Sequence, residues 1–250
     1  MISLRGKRAL VTGGSRGIGA ATAILLAECG ADVGIGYHRR EDAAAAVVGA
    51  LAGRGVRAFA QSADLSTAEG AAALFARAER ELGGLDIFVG NAGTWPAEDV
   101  ALDSMDERRW LRTMADNLDA MFYTARGAAG MVADGGRIVL VSSTAGQRGE
   151  AGHADYAATK GAMISFVKSL AVELGPKEMT VNAVAPGWVD TDAVSMVMAH
   201  SREKIEAAIP VGRIATARDI AGPIVFLCSE LARHVNGEIL NVNGGSVLCG

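Results

Sequence analysis

The sequence predicts an α/β fold: a doubly wound parallel sheet of about seven strands with helices on both faces. Three observations lead there. Short β-branched runs alternate with alanine- and leucine-rich runs of helical length from one end of the chain to the other. The first strand-like run ends in a glycine-rich turn that opens a helical run. No linker, low-complexity tract or repeat of fixed period breaks the alternation, and 250 residues suit a single domain, residues 1–250, with a sizeable core.

In chain order, strands are expected at residues 8–12, 32–37, 57–61, 87–90, 137–142, 180–184 and 238–242. The segments between them have helical length. Residues 20–29 follow the glycine turn, the alanine-rich stretch 43–52 reads as helix rather than disorder, and 66–82 forms another helix. Right-handed βαβ crossovers would place a ligand crevice at the carboxyl ends of the strands.

Half of the residues are hydrophobic and 32 are glycine, so tight turns and close backbone approaches are expected. A net charge of -4 offers no basic footprint for nucleic acid or an anionic membrane. No run approaches the ~18 apolar residues of a membrane span. The segment from Met1 to Lys7 lacks the apolar core of a signal peptide. Cys29, Cys228 and Cys249 form neither a CxxC pair nor a disulfide framework, which points to a reducing cytoplasm. His38, His153, His200 and His234 have no ligand spacing, so no metal site is expected.

The turn Thr12-Gly13-Gly14-Ser15-Arg16-Gly17-Ile18-Gly19 suits a pyrophosphate, because glycines allow close approach and the helix behind it offers free N–H groups and a positive dipole end. The end of the second strand selects the dinucleotide. An acid there would bind a ribose 2′-hydroxyl; here Tyr37 stands in its place, followed by His38, Arg39 and Arg40, with Arg16 in the turn. Guanidinium groups suit a 2′-phosphate, so NADP(H) is expected ahead of NAD(H). The other reading pairs Arg39 and Arg40 with Glu41 and Asp42 at the surface. Asp64, followed by Leu65, would meet the adenine amino group or else cap the next helix. Asn91-Ala92-Gly93 borders the same crevice or serves as a turn.

Tyr156 and Lys160 share a helix face, an arrangement in which an ammonium would lower the tyrosine pKa. Ser143 lies thirteen residues upstream, at the end of a strand-like run, where its hydroxyl could hold a substrate oxygen. Together they would donate a proton to a carbonyl.

In their order and spacing, these residues resemble the short-chain dehydrogenase/reductase family, most of all its 3-oxoacyl-acyl-carrier-protein reductase-like members. The likeness spans essentially the whole chain and adds Asn117, Pro186-Gly187 with Thr191, and Gly244-Gly245. One departure is Gly90, where the family often carries a second asparagine. The resemblance implies a Rossmann-type domain and reversible hydride transfer between a nicotinamide and a carbonyl carbon. It implies Tyr156 as acid or base, Ser143 polarising the carbonyl, Lys160 on the nicotinamide ribose, and Asn117 holding a proton-relaying water. Asn117 could otherwise bond backbone within a helix, and Ser143 could cap the segment after it. Pro186, Gly187, Val189 and Thr191 would hold the nicotinamide amide and diphosphate. NADPH-dependent ketone reduction, of a 3-oxoacyl thioester or a related ketone, is the leading expectation. An alcohol, sugar or steroid dehydrogenase and a catalytically silent dinucleotide-binding protein are the alternatives.

For substrate, Thr94, Trp95, Gln147, His153 and Trp188 are candidate pocket walls beside Ser143. Residues 192–210 contain Val194, Met196, Val197, Met198, Ile205 and Ile209 among charges. They read either as a lid helix, within a lid region at about 188–212, or as an ordinary surface helix. On the Tyr156 helix, the face opposite Met163, Val167 and Leu170 carries Ala158, Ala162, Ser165, Ser169 and Val172. A face so small and uncharged suits packing against a symmetry mate, and the resemblance implies a homotetramer or a dimer. The apolar tail from Ser246 to Gly250 would lie at a second interface or under the chain's own loops.

Overall fold

The computed structural model describes residues 2–249. Its core is one parallel seven-stranded sheet built from β1 (Arg8–Thr12), β2 (Asp32–Tyr37), β3 (Ala58–Ser62), β4 (Leu85–Gly90), β5 (Val132–Val141), β6 (Thr180–Pro186) and β9 (Ile239–Val242). The strand order is β3-β2-β1-β4-β5-β6-β9, so the winding direction reverses between β1 and β4. That reversal opens a crevice at the carboxyl ends of these two strands. Two further strands, β7 (Val189–Asp190) and β8 (Ala215–Thr216), pair with each other in parallel outside the main sheet.

The helices are α1 (Gly17–Glu28), α2 (Glu41–Ala52), α3 (Ala68–Leu82), α4 (Glu107–Thr113), α5 (Ala120–Met131), α6 (Thr144–Arg148), α7 (Ala154–Leu174), α8 (Ser195–Ala207) and α9 (Ala217–Leu227). A π-helical stretch, Met114–Asp119, joins α4 to α5. Alternate strand residues feed two separate cores. Leu10, Phe88, Leu140 and Val181 pack with Leu74 and Phe75 of α3, Ala125 of α5, and Met163 and Val167 of α7. On the other face, Val11, Ile35, Val139 and Val184 pack with Leu26 of α1, Leu51 of α2 and Ile224 of α9. No helix among the described residues is long and apolar enough to cross a membrane.

All seven expected strands form, with end shifts of a few residues, among them the following. The third strand starts at Ala58 rather than at residue 57, because the Arg57 N–H donates to the Asp32 carboxylate at 2.7 Å. The fifth starts at Val132, where a register irregularity lets the chain join β4 before its regular ladder from Arg137. The first helix starts at Gly17, three residues earlier than expected.

The N-terminal end of α7 is anchored by a buried ion pair. Fully buried Asp155 accepts from Arg109 Nε at 3.0 Å and from Thr113 Oγ1 at 2.8 Å, and Arg109 also donates to the carbonyls of Glu98 and Gly152. Removing the carboxylate leaves a guanidinium without its counter-charge. Asp155→Ala is therefore expected to cost about 3–5 kcal/mol of stability, read as a lower chemical-denaturation midpoint.

Candidate active site

One cavity of about 490 Å³ runs along the carboxyl ends of the strands, at the reversal between β1 and β4. Gly13, Ser15, Arg16, Gly17 and Ile18 line its middle, and Tyr37, His38, Arg39, Arg40, Asp64 and Leu65 line one end. Asn91, Ala92, Gly93, Thr94, Trp95, Ser143, Tyr156, Lys160, Pro186, Gly187, Trp188, Val189 and Thr191 border the remainder. Gly19 does not reach the cavity. It lets α1 pack under the turn, since a Cβ there would lie 2.2 Å from the Gly13 carbonyl oxygen.

The turn is stitched to β4. Buried Thr12 Oγ1 accepts from the N–H groups of Asn91 and Ala92 at 2.9 and 3.0 Å. The Asn91 amide returns donors to the carbonyls of Thr12 and Gly13 at 3.0 and 3.3 Å. The turn reading of Asn91 therefore holds beside its place on the cavity wall. At the departure from the family pattern, a Cβ on Gly90 would meet Leu140 Cδ2 at 2.6 Å, so Leu140 fills that space.

At the β2 end, Arg40 pairs with Asp42 through Nε at 3.3 Å, in the exposed manner of the surface reading, yet both Arg39 and Arg40 border the cavity. Asp64 does not cap α3; Thr67 does, accepting from Gly70 N–H at 3.1 Å. Asp64 instead accepts from Ser66 Oγ and N–H at 2.7 and 3.1 Å, which holds its carboxyl below the usual range, and His38 Nε2 stands 4.0 Å away. These features fit a phosphorylated dinucleotide: free N–H groups at the start of α1 at the centre, and guanidinium groups rather than a carboxylate at the end of β2.

Strand β5 delivers Ser143 and α7 delivers Tyr156 and Lys160. Ser143 caps α6, accepting from Ala145 N–H at 3.1 Å, and also lines the cavity, so its two readings coexist. Lys160 is buried and donates from Nζ to the Val141 carbonyl at 2.8 Å. Its Nζ lies 5.7 Å from the centre of the Tyr156 ring. Burial pulls the Lys160 ammonium down to about 8. Burial also pushes the Tyr156 phenol up to about 12, with a Ser143 hydrogen bond opposing the rise and the Glu150 charge adding to it. The expected lowering of Tyr156 by Lys160 does not appear: desolvation of the phenolate dominates, and the opposing contribution comes from the Ser143 hydrogen bond.

Asn117 sits behind the wall, in the π-helical stretch. Its Oδ1 accepts from Thr94 N–H at 2.9 Å, and its Nδ2 donates to the carbonyls of Thr94 and Thr113 at 3.0 and 3.1 Å. The backbone-bonding reading therefore describes its side chain. A Cβ on Gly93 would lie 2.5 Å from Asn117 Oδ1 and 3.5 Å from Lys160 Nζ, which places both groups just beneath that glycine.

Two expected pocket residues are corrected. Gln147 turns toward β9 and donates to Asn241 Oδ1 at 2.6 Å. His153 is 1% exposed, with Nε2 2.8 Å from the Pro96 carbonyl oxygen, and lies behind Trp95 rather than on the wall. Arg148 and Glu150 line the cavity instead. Their position between Ser143 and Tyr156 is the signal that could have found them. Within residues 192–210, Met198 and Ile209 are buried with Ile214, and Trp188, Val194 and Ile205 pack against them. Met196 is 72% exposed and does not belong to that inner face.

A family model described as Enoyl-(Acyl carrier protein) reductase matches residues 13–246. The chain is 40% identical over 246 residues to the 3-oxoacyl-[acyl-carrier-protein] reductase FabG of Vibrio cholerae, covering 98% of both. It is 39% identical to the hydroxynaphthalene reductase-like protein Arp2 of Metarhizium robertsii, covering 98% of this chain and 96% of that protein. A crystal structure of a short chain dehydrogenase from Burkholderia cenocepacia J2315, in complex with NADP, superposes with a TM-score of 0.91 at 38% identity, covering 97% of this chain and 98% of that one. Likeness of this extent, end to end in sequence and in fold, decides the assignment: the chain belongs to the short-chain dehydrogenase/reductase family, among its 3-oxoacyl-acyl-carrier-protein reductase-like oxidoreductases.

Proposed function

We propose that the protein reduces a ketone to a secondary alcohol with NADPH. The observation that carries this reading is one continuous cavity with arginines at one end and Ser143, Tyr156 and Lys160 at the other. When bound, the nicotinamide supplies the hydride. Ser143 holds the substrate oxygen and stabilises the charge that develops on it. Tyr156 gives that oxygen its proton; a phenol raised by burial is fully protonated at neutral pH, as an acid must be. Lys160, tied to Val141, sets a positive charge beside the tyrosine and would hold the nicotinamide ribose. Asn117 supports the proton path from Lys160. Val189 and Thr191 hold the amide and diphosphate. The α8 segment serves as a lid over the site of the single domain.

The relatives' names divide between a 3-oxoacyl thioester and a hydroxynaphthalene, so likeness supports the carbonyl and leaves the rest of the substrate to this chain's own pocket. On α7, Val172 is 80% exposed and Ala158, Ala162, Ser165 and Ser169 lie at the same surface. That face supports a homo-oligomer, tetramer or dimer. Side-by-side NADPH and NADH oxidation against a panel of acyclic, thioester and ring ketones tests the activity. No turnover with any of them, despite NADPH binding, would leave a dinucleotide-binding protein without this chemistry.

Cofactor choice has its own test. Changing Arg39 and Arg40 together to alanine is expected to weaken NADPH by about 10- to 100-fold, with NADH changed less than about threefold. Fluorescence titration of both dinucleotides reads the difference, and equal losses would refute the 2′-phosphate assignment.

A further inference from the structure

The wall facing Ser143 and Tyr156 is built from two indoles and a carboxyl. Trp95 follows β4 and Trp188 follows β6; their rings meet edge to face, with centroids 6.0 Å apart at 77°. Both line the cavity that Ser143 and Tyr156 border. Each is held from behind. His153 stacks on Trp95 at 4.7 Å and 15°. Because the Pro96 carbonyl can only accept, the His153 Nε2 2.8 Å away carries the proton, which fixes the ring. Its Nδ1 then faces Asp99 at 3.3 Å and Glu150 at 3.9 Å. Trp188 rests on the cluster of Met198, Ile209 and Ile214. Aromatic walls set in place before binding lose little freedom when a flat ring arrives.

Glu150 lines the same cavity, with its side chain 24% exposed. Its pKa is raised on balance, by burial first and by the Asp99 charge, while His153, the Trp95 indole N–H and the nearby Arg148 oppose the rise. A substrate that seals this end removes water from Glu150. The carboxyl oxygen positions that the Trp95 N–H leaves unmet then need a polar partner from the substrate, or their burial opposes binding. A 3-oxoacyl thioester brings a second carbonyl beside the reacting one, an acceptor that offers Glu150 no donor. A phenol or alcohol on a ring brings the donor.

We propose that the preferred substrate is an aromatic or fused-ring ketone bearing a hydroxyl, seated against Trp95 and Trp188 with that hydroxyl donating to Glu150. This rests on the ketoreductase reading. The hydroxyl selects the substrate and takes no part in hydride transfer.

The test compares NADPH oxidation by a hydroxytetralone, the unsubstituted tetralone and an acetoacetyl thioester. Wild type is expected to favour the hydroxytetralone over tetralone by about tenfold or more in kcat/KM, and both over the thioester. In Glu150→Ala the ratio between the two tetralones should fall to within about twofold. Glu150→Gln, of nearly the same shape, should lower the ratio in part, which separates lost recognition from lost folding. The ratio also cancels any effect of Glu150 on Tyr156 that both ketones share. A wild-type ratio near one, or a ratio that Glu150→Ala leaves unchanged, overturns the proposal. Turnover of the thioester alone overturns the substrate class and keeps the ketoreductase. No turnover of any ketone, with NADPH still bound, overturns both.

Discussion

Replacing Tyr156 by phenylalanine is expected to lower kcat by about 10²- to 10⁴-fold while NADPH binds within a few-fold of wild type. The ring stays, so the packing beside Lys160 is kept; only the proton donor is lost. Single-turnover NADPH oxidation with a ketone, set beside a fluorescence titration of the cofactor, separates the two quantities. Undiminished turnover would remove Tyr156 from the chemistry. The same phenol sets the pH dependence. Reduction needs the phenol, and with its pKa pushed up to about 12 the acid form persists through neutral and mildly alkaline pH. Oxidation of the alcohol needs the phenolate, whose population rises about tenfold for each pH unit below that value, so the reverse rate should climb with pH where reduction does not.

Gly146→Val is expected to cost about 10²-fold in kcat, because it displaces Ser143 from Tyr156 on a scale of about 1 Å. Helix α6 lies directly on the backbone of α7. A Cβ on Gly146 would stand 2.5 Å from the Lys160 carbonyl carbon and 2.8 Å from Gly161 N, and neither can turn aside as a side chain could. The two elements are also bonded through Ser142 Oγ, which donates to the Lys160 carbonyl at 2.9 Å. Forcing them apart should lower stability by about 1–3 kcal/mol, little enough that the protein still folds. Steady-state kinetics with a denaturation midpoint reads both effects; wild-type kcat would mean that the Ser143–Tyr156 spacing is not set by this contact.

Much of the architecture was legible because most strands are apolar runs, β1 and β6 ending directly before glycine, and a parallel sheet buried on both faces demands such runs. Boundaries were lost where a side chain captured a backbone group, as Asp32 does with Arg57 N–H. The pair β7–β8 is two residues long in each strand and has no periodicity to read. Within the site, the residues named on strand ends, and Tyr156 and Lys160 on α7, line the cavity, since a strand end or a long helix gives a side chain its direction. Gln147 and His153 were misplaced because they lie on the five-residue α6 and in the loop just before α7, where direction comes from tertiary partners, Asn241 in one case and Pro96 in the other. Glu150 was overlooked for the same reason.

The cluster beneath α8 has a consequence for motion. Met198, Ile209 and Ile214 form an apolar island apart from the two cores that clamp the sheet. Lifting α8 breaks that island and leaves both larger cores whole, so the opening is a local event with a free energy well below that of global unfolding. Amide hydrogens of residues 199–207 should then exchange with deuterium through this local opening, well before those of β1 and β4, whose exchange waits for the sheet to come apart.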